Sequence, residues 1–242
     1  MARSNVPQAL SVVGVTHEGD VQLTASEIVK FDGKKLFFSH DRTWACTGAA
    51  LSGRFPAESV LAQFARVHPR VAKSIAAICE LGQSAPRSIM QFRDHPGARM
   101  REVEPLRFGP DVSIMVKATC WYVEDGRPVL PILQPRADGL SPRKLAVYAA
   151  LARRAYCRGA WLNAEIEIVD LSQSDKDGTV VAEAIRASSL PPISEDQLNA
   201  FLQTYVEGRI MAEEIRATYP EKTKEPRAAP LLELLASKSD EP

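Results

Sequence analysis

A chain of 242 residues, 45% apolar and 25% charged, can bury the core of one folded α/β domain and lies far from disordered or fibrous compositions. Thirty basic side chains offset thirty acidic ones, which excludes attraction to polyanions or anionic membranes through overall charge, so any basic surface must be local. Cys46, Cys79, Cys120 and Cys157 form no CxxC pair and sit beside no paired histidine, so a zinc centre, an iron-sulfur cluster and a disulfide framework are all unexpected.

In chain order, "LSVVGV" at 10–15 predicts a short strand, "TASEIVKF" a helical turn capped by Thr24 or Ser26, and "KKLFFSHDRTW" a second, loosely alternating strand. The opening stretch is too short and interrupted for a signal peptide, and no apolar run reaches the roughly 18 residues of a membrane span. A cytoplasmic address is therefore expected. From Pro56, Val60, Leu61, Phe64 and Val67 and then Val71, Ile75, Ile78 and Leu81 recur at helical spacing, predicting two helices broken at Pro69. Residues 83–105 are polar and carry Pro86, Pro96 and Gly97, a surface segment.

The texture then changes. "DVSIMVKATCWYV" and "PVLPILQP" flank the turn signal "EDGR" and predict a β-hairpin, in which at least one of Trp121 and Tyr122 belongs to the core. Ser141 caps a helix that opens with Pro142 and runs to Gly159. "LNAEIEIVDL" alternates Ile166 and Ile168 with Glu165 and Glu167 as a strand does, and Ser194 with Gln197 forms a capping box for a long helix ending near Pro220. These elements predict N-terminal strands and helices over 1–99 packing on a core of residues 100–220, followed by a linker and tail over 221–242.

The order strand, hairpin, strand, helix, strand over 110–171 resembles the central unit of the PD-(D/E)XK nuclease superfamily, and in detail its RecB-type exonuclease branch. "VKATCWYVEDGRPVLPILQPR" resembles the second and third core strands. "SPRKLAVYAALARRAYC" resembles the helix after the catalytic strand, with Tyr148 present from a Gln-x-x-x-Tyr motif and Lys144 in the glutamine's place. The fold this implies is a central mixed β-sheet flanked by helices, a restriction-endonuclease-like core. In active members, carboxylates on adjacent strands bind magnesium and a nearby lysine helps the attacking water. Magnesium requires such hard, charged oxygens.

At the corresponding positions this chain has Thr119 or Cys120 for the first acid, Gln134 for the second and Arg136 for the lysine. A guanidinium accepts no proton at neutral pH, so the resemblance implies the fold without the chemistry. No cofactor is expected. Arg136, Arg143 and Lys144, followed by Arg153, Arg154 and Arg158, instead suggest phosphate binding, with Tyr148 as a packing or orienting residue. The leading expectation is a non-catalytic, nucleic-acid-binding or accessory subunit in DNA processing.

Two other readings compete. A magnesium-dependent nuclease would use Asp111 of "GPD" with displaced acids such as Glu102, Glu104 or Asp138 around Gln134. A protein-interaction scaffold would recruit its partner through Leu231, Leu232, Leu234 and Leu235. His40 and Asp41 in "FSHDR" read as a surface turn, and His17, His68 and His95 lack metal-ligand spacing.

Overall fold

The computed structural model describes residues 6–32, 39–92, 101–108, 112–174 and 178–218. Among these, helices α1 (Ala9–Val15), α2 (Val21–Asp32), α3 (Asp41–Leu51), α4 (Ala57–Leu61) and α5 (Pro69–Ser84) precede strands β1 (Val103–Phe108), β2 (Val112–Lys117), β3 (Tyr122–Glu124) and β4 (Arg127–Gln134). Helix α6 (Pro142–Tyr156) then leads to β5 (Glu165–Asp170), β6 (Glu183–Arg186) and α7 (Glu195–Thr218). The chain is thus mixed α/β, with β1 and β2 forming an antiparallel pair and β3-β4-β5-β6 a mixed four-stranded sheet.

The hairpin between β3 and β4 closes through Asp125 (φ 50°) and Gly126 (φ 74°), left-handed positions of the kind a tight two-residue turn requires. From β4 the chain crosses over through α6 and returns as β5, which lies parallel to β4 with Gln134 opposite Asp170. Sequence chemistry sets the ends of this crossover. The Ser141 hydroxyl accepts from the Lys144 amide at 3.3 Å, and Pro142 occupies the first helical turn, where a missing N–H costs no hydrogen bond. In the capping box before α7, the Gln197 amide donates to Ser194 Oγ and the Ser194 amide donates to Gln197 Oε1.

Helices cover both faces of the four-stranded sheet. Leu130, Ile132, Ile166 and Ile168 join α1, α6 and α7 in one apolar cluster, while Leu133 and Val169 join α3 and α5 in another. This double cover changes how β5 must be read. All six of its residues are buried, so Glu165 and Glu167 do not face solvent as their alternation with isoleucine suggests.

Three other expectations give way. "LSVVGV" forms most of α1 and not a strand, because Ala9, Val12, Val13 and Val15 are all buried against α6 and β2, and a run this short carries no decisive period. From Asp41 onward the strand expected in "KKLFFSHDRTW" is replaced by α3, and its residues 34–38 lie outside the described ones. The long first hairpin strand divides into β2 and β3, since residues 118–120 leave the ladder and Trp121 bridges Met90 instead. Both Trp121 and Tyr122 are buried.

Candidate functional site

Strand β4 ends at Gln134, whose side chain is fully buried and folds back onto the loop that follows. Its Oε1 accepts from the Arg136 amide at 3.0 Å, while Nε2 donates to the carbonyls of Asp138 at 3.3 Å and Arg136 at 3.4 Å. An amide suits this place because it supplies a donor and an acceptor together. A carboxylate would set negative charge against two carbonyl oxygens. Glutamine is therefore a neutral staple for residues 134–138, and it gives the loop its shape.

That loop aims Arg136 across α1. The guanidinium packs over Gly14, where any Cβ would overlap it, and its Nη2 lies 4.0 Å from the Asp138 carboxylate. Nη1 is buried with no hydrogen-bond partner among the described residues. Lys144, at the start of α6, donates to the Gly14 carbonyl at 2.9 Å, and burial together with the neighbouring Arg136 holds its ammonium below the ordinary lysine pKa; Glu27 acts in the opposite sense. Arg143 points elsewhere, forming a two-pronged pair with Glu18 at 2.8 and 3.2 Å. Of the three clustered cations, Arg136 alone lines the main cleft.

The later basic residues, Arg153 and Arg154 on α6 and Arg158 just after it, serve packing. Arg153 reaches Glu165, Arg154 reaches Glu195 and stacks over Phe108, and Arg158 binds Glu104 at 2.9 Å. Each guanidinium has an acidic partner, so the expected basic stripe is internally paired. Tyr148 is buried, with its hydroxyl donating to the Leu133 carbonyl at 3.1 Å and its ring edge forming part of the cleft wall.

The cleft has a volume of about 960 Å³ and opens beside the carboxyl end of β4. Phe31, Trp44, Met115 and Tyr148 give it apolar and aromatic walls, and Lys117, Arg136, Asp41 and Asp138 bring charge to it. Lys117 lies 5.4 Å from the Trp44 ring centre and 3.8 Å from Asp41, which fixes its ammonium over the aromatic face. His40 also lines the cleft. Burial depresses its pKa, Arg70 and His68 add to that effect, and Asp41 opposes it. A crevice outside the carboxyl ends of parallel strands is where open α/β sheets commonly receive ligands.

Thr119 and Cys120 are absent from the residues lining that cleft. Cys120 lies under α3 against Gly48, and burial pushes its thiol up to about 12. Lys117, from the same hairpin arm, occupies the cleft in their stead. Among the described residues no three His, Cys, Asp or Glu side chains converge as a metal group, and the Gln134 amide is committed to the loop. Asp111, Leu231, Leu232, Leu234 and Leu235 lie outside the described residues.

A second polar group went unseen in the sequence. Glu167, fully buried in the middle of β5, meets Arg87 at 3.2 Å, Arg186 at 3.3 Å and the Tyr122 hydroxyl at 3.0 Å. Both guanidiniums also lie over the Tyr122 ring, at 5.6 and 5.8 Å. Arg186 further binds Glu124 at 2.6 Å, so two acids balance two bases. The group ties the segment after α5 to β3, β5 and β6. Its charges face one another across β5, with Glu167 Oε1 and Arg186 Nη1 buried without a hydrogen-bond partner among the described residues, and the group acts as a structural clamp.

Comparison of the chain with protein-family models, with curated proteins and with solved structures returned no match. Among the described residues, no helix is long and apolar enough to cross a membrane.

Proposed function

We propose that this chain is a non-catalytic, nuclease-like α/β protein that binds nucleic acid in the cleft at the end of β4, as an accessory subunit in DNA processing. The observation that carries this reading is the meeting of Arg136 and Lys117 with Trp44 and Phe31 in one hollow. Cations for phosphate and an aromatic face for a base are the two components that single-strand grooves combine; Phe31 offers that face, while the Trp44 ring is covered by Lys117 and positions its ammonium.

Arg136 adds a directional argument. Its Nη1 is buried against Gly14, so an anionic oxygen in the cleft would be met by the part of the guanidinium that stays exposed, as a charge-assisted contact. The formal charges of the described lining residues otherwise balance, with Lys117 and Arg136 facing Asp41 and Asp138. Binding is therefore expected to draw more on stacking than on a broad positive field. Gln134 supports the non-catalytic half of the proposal, because its amide holds the loop in a way that an ionised acid would oppose.

Salt-dependent anisotropy titrations with labelled DNA and RNA test the reading. Wild-type binding is expected to weaken with salt, and Arg136→Ala and Lys117→Ala each to flatten the log–log salt slope by about 0.7, the value of one single-strand phosphate contact. If neither nucleic acid binds, the proposal fails. If both substitutions leave affinity and slope unchanged, the cleft is the wrong place.

A further inference from the structure

Beyond the cleft, α7 carries Arg209, Glu213 and Arg216 at intervals of four and three residues, a spacing that sets them along one helix face. With Tyr205 from α7 and Ile28 from α2, they line a second hollow of about 410 Å³. This hollow shares Ser11 and Phe31 with the cleft. The two are neighbours across the start of α1, with one aromatic side chain forming part of both walls.

The described charges of the two hollows differ. Among the described lining residues, two bases face two acids in the cleft, whereas the α7 hollow has two arginines and one glutamate. The Arg209–Glu213 pair, at 3.5 Å with both side chains substantially exposed, is the weak i,i+4 kind that an incoming phosphate readily displaces. An extended polyanion leaving the cleft over Phe31 would therefore meet Arg209 and Arg216 on one face of α7.

We propose that the hollow on α7 is a second subsite for the same nucleic-acid strand, with Arg209 and Arg216 taking phosphates beyond those held at Lys117 and Arg136. Phe31 lies at the junction and offers a stacking face to the base between the two subsites. This inference rests on the nucleic-acid reading of the cleft and adds a footprint and a direction to it. A longer single strand is the ligand that spans both hollows. Its affinity grows with length until the α7 arginines are reached, and does not grow beyond them.

Single-stranded DNA oligonucleotides of about 4 and about 12 nucleotides, bracketing the smaller footprints of single-strand grooves, separate the two claims. The titrations compare wild type, Arg209→Ala and Arg209→Lys over a series of salt concentrations. The longer oligonucleotide is expected to bind wild type more tightly, with a log–log salt slope steeper by about 0.7 for each added phosphate contact. Arg209→Ala removes about 0.7 of that slope on the longer strand and changes nothing on the shorter one, while Arg209→Lys restores it. Should the shorter strand bind but the longer one gain nothing, or should Arg209→Ala leave the gain intact, the second subsite is refuted and the cleft reading survives. Should neither strand bind wild type, both fall together.

Discussion

Replacing Gln134 by glutamate puts an acid at the end of β4 with almost no change of shape, and it is expected to destabilise the protein without creating activity. The side chain is fully buried, and its Nε2 donates to the carbonyls of Arg136 and Asp138. An ionised carboxylate loses both donors and turns negative charge toward those oxygens, so its pKa rises through burial and because only the protonated form can donate to a carbonyl. A rise of about 2 to 3 pH units above the unfolded value near 4.3 corresponds to about 3 to 4 kcal/mol at 1.36 kcal/mol per unit. The folded state then holds the proton more tightly than the unfolded state, so stability falls as pH rises. The loss begins above about pH 4.3 and is complete once the folded pKa has been passed. Below that range the protonated acid still accepts from the Arg136 amide and donates to one carbonyl, leaving a deficit of about 1 kcal/mol. Denaturant unfolding of wild type and Gln134→Glu between pH 4 and 8 measures the difference, which with that deficit reaches about 4 to 5 kcal/mol at neutral pH, a fall in melting temperature of roughly 8–20 °C. A difference that is flat in pH, or that grows toward acid, refutes the reasoning. So does restoration of stability by magnesium, which would mean that the new acid completes a metal site.

Glu167→Ala leaves Arg87 and Arg186 facing a buried space without their shared carboxylate, and a loss of about 3–5 kcal/mol in chemical denaturation is expected; a loss below about 1 kcal/mol contradicts the clamp. Gly14→Ala acts differently, because the added methyl overlaps only the far end of the flexible Arg136 side chain and suits a helix better than glycine. Stability is expected to stay within about 1 kcal/mol of wild type while nucleic-acid affinity falls to the level of Arg136→Ala. Unchanged affinity in that variant would place the Arg136 guanidinium outside the binding surface.

Much of the second half of the fold is legible from local chemistry. The caps at Ser141 and Ser194 and the turn at Asp125 and Gly126 each depend on residues within a few positions of one another. The first half is less so, since α1 is a brief apolar run whose helical state is decided by packing against α6 and β2. For the candidate site, Gln134, Arg136 and Tyr148 are visible through their places on the hairpin and helix. Trp44, Phe31 and Lys117 are not, because they come from three separate elements and meet only in the folded chain. Arg87 and Glu167 are 80 positions apart, and an alternating strand gives no sign that a second helical layer will bury its polar face. Arg143 was expected among the phosphate contacts on the strength of its neighbours, yet Glu18, 125 positions away, engages it.

The central claim, that the β4 cleft holds nucleic acid and does not cut it, is met most directly by one titration. A labelled single strand is mixed with wild-type protein in magnesium, its anisotropy is followed to saturation, and the same sample is then run on a denaturing gel. Saturable binding with the strand recovered at full length is the predicted result. Shortened products that vanish when magnesium is chelated, or no binding at any protein concentration, would contradict it.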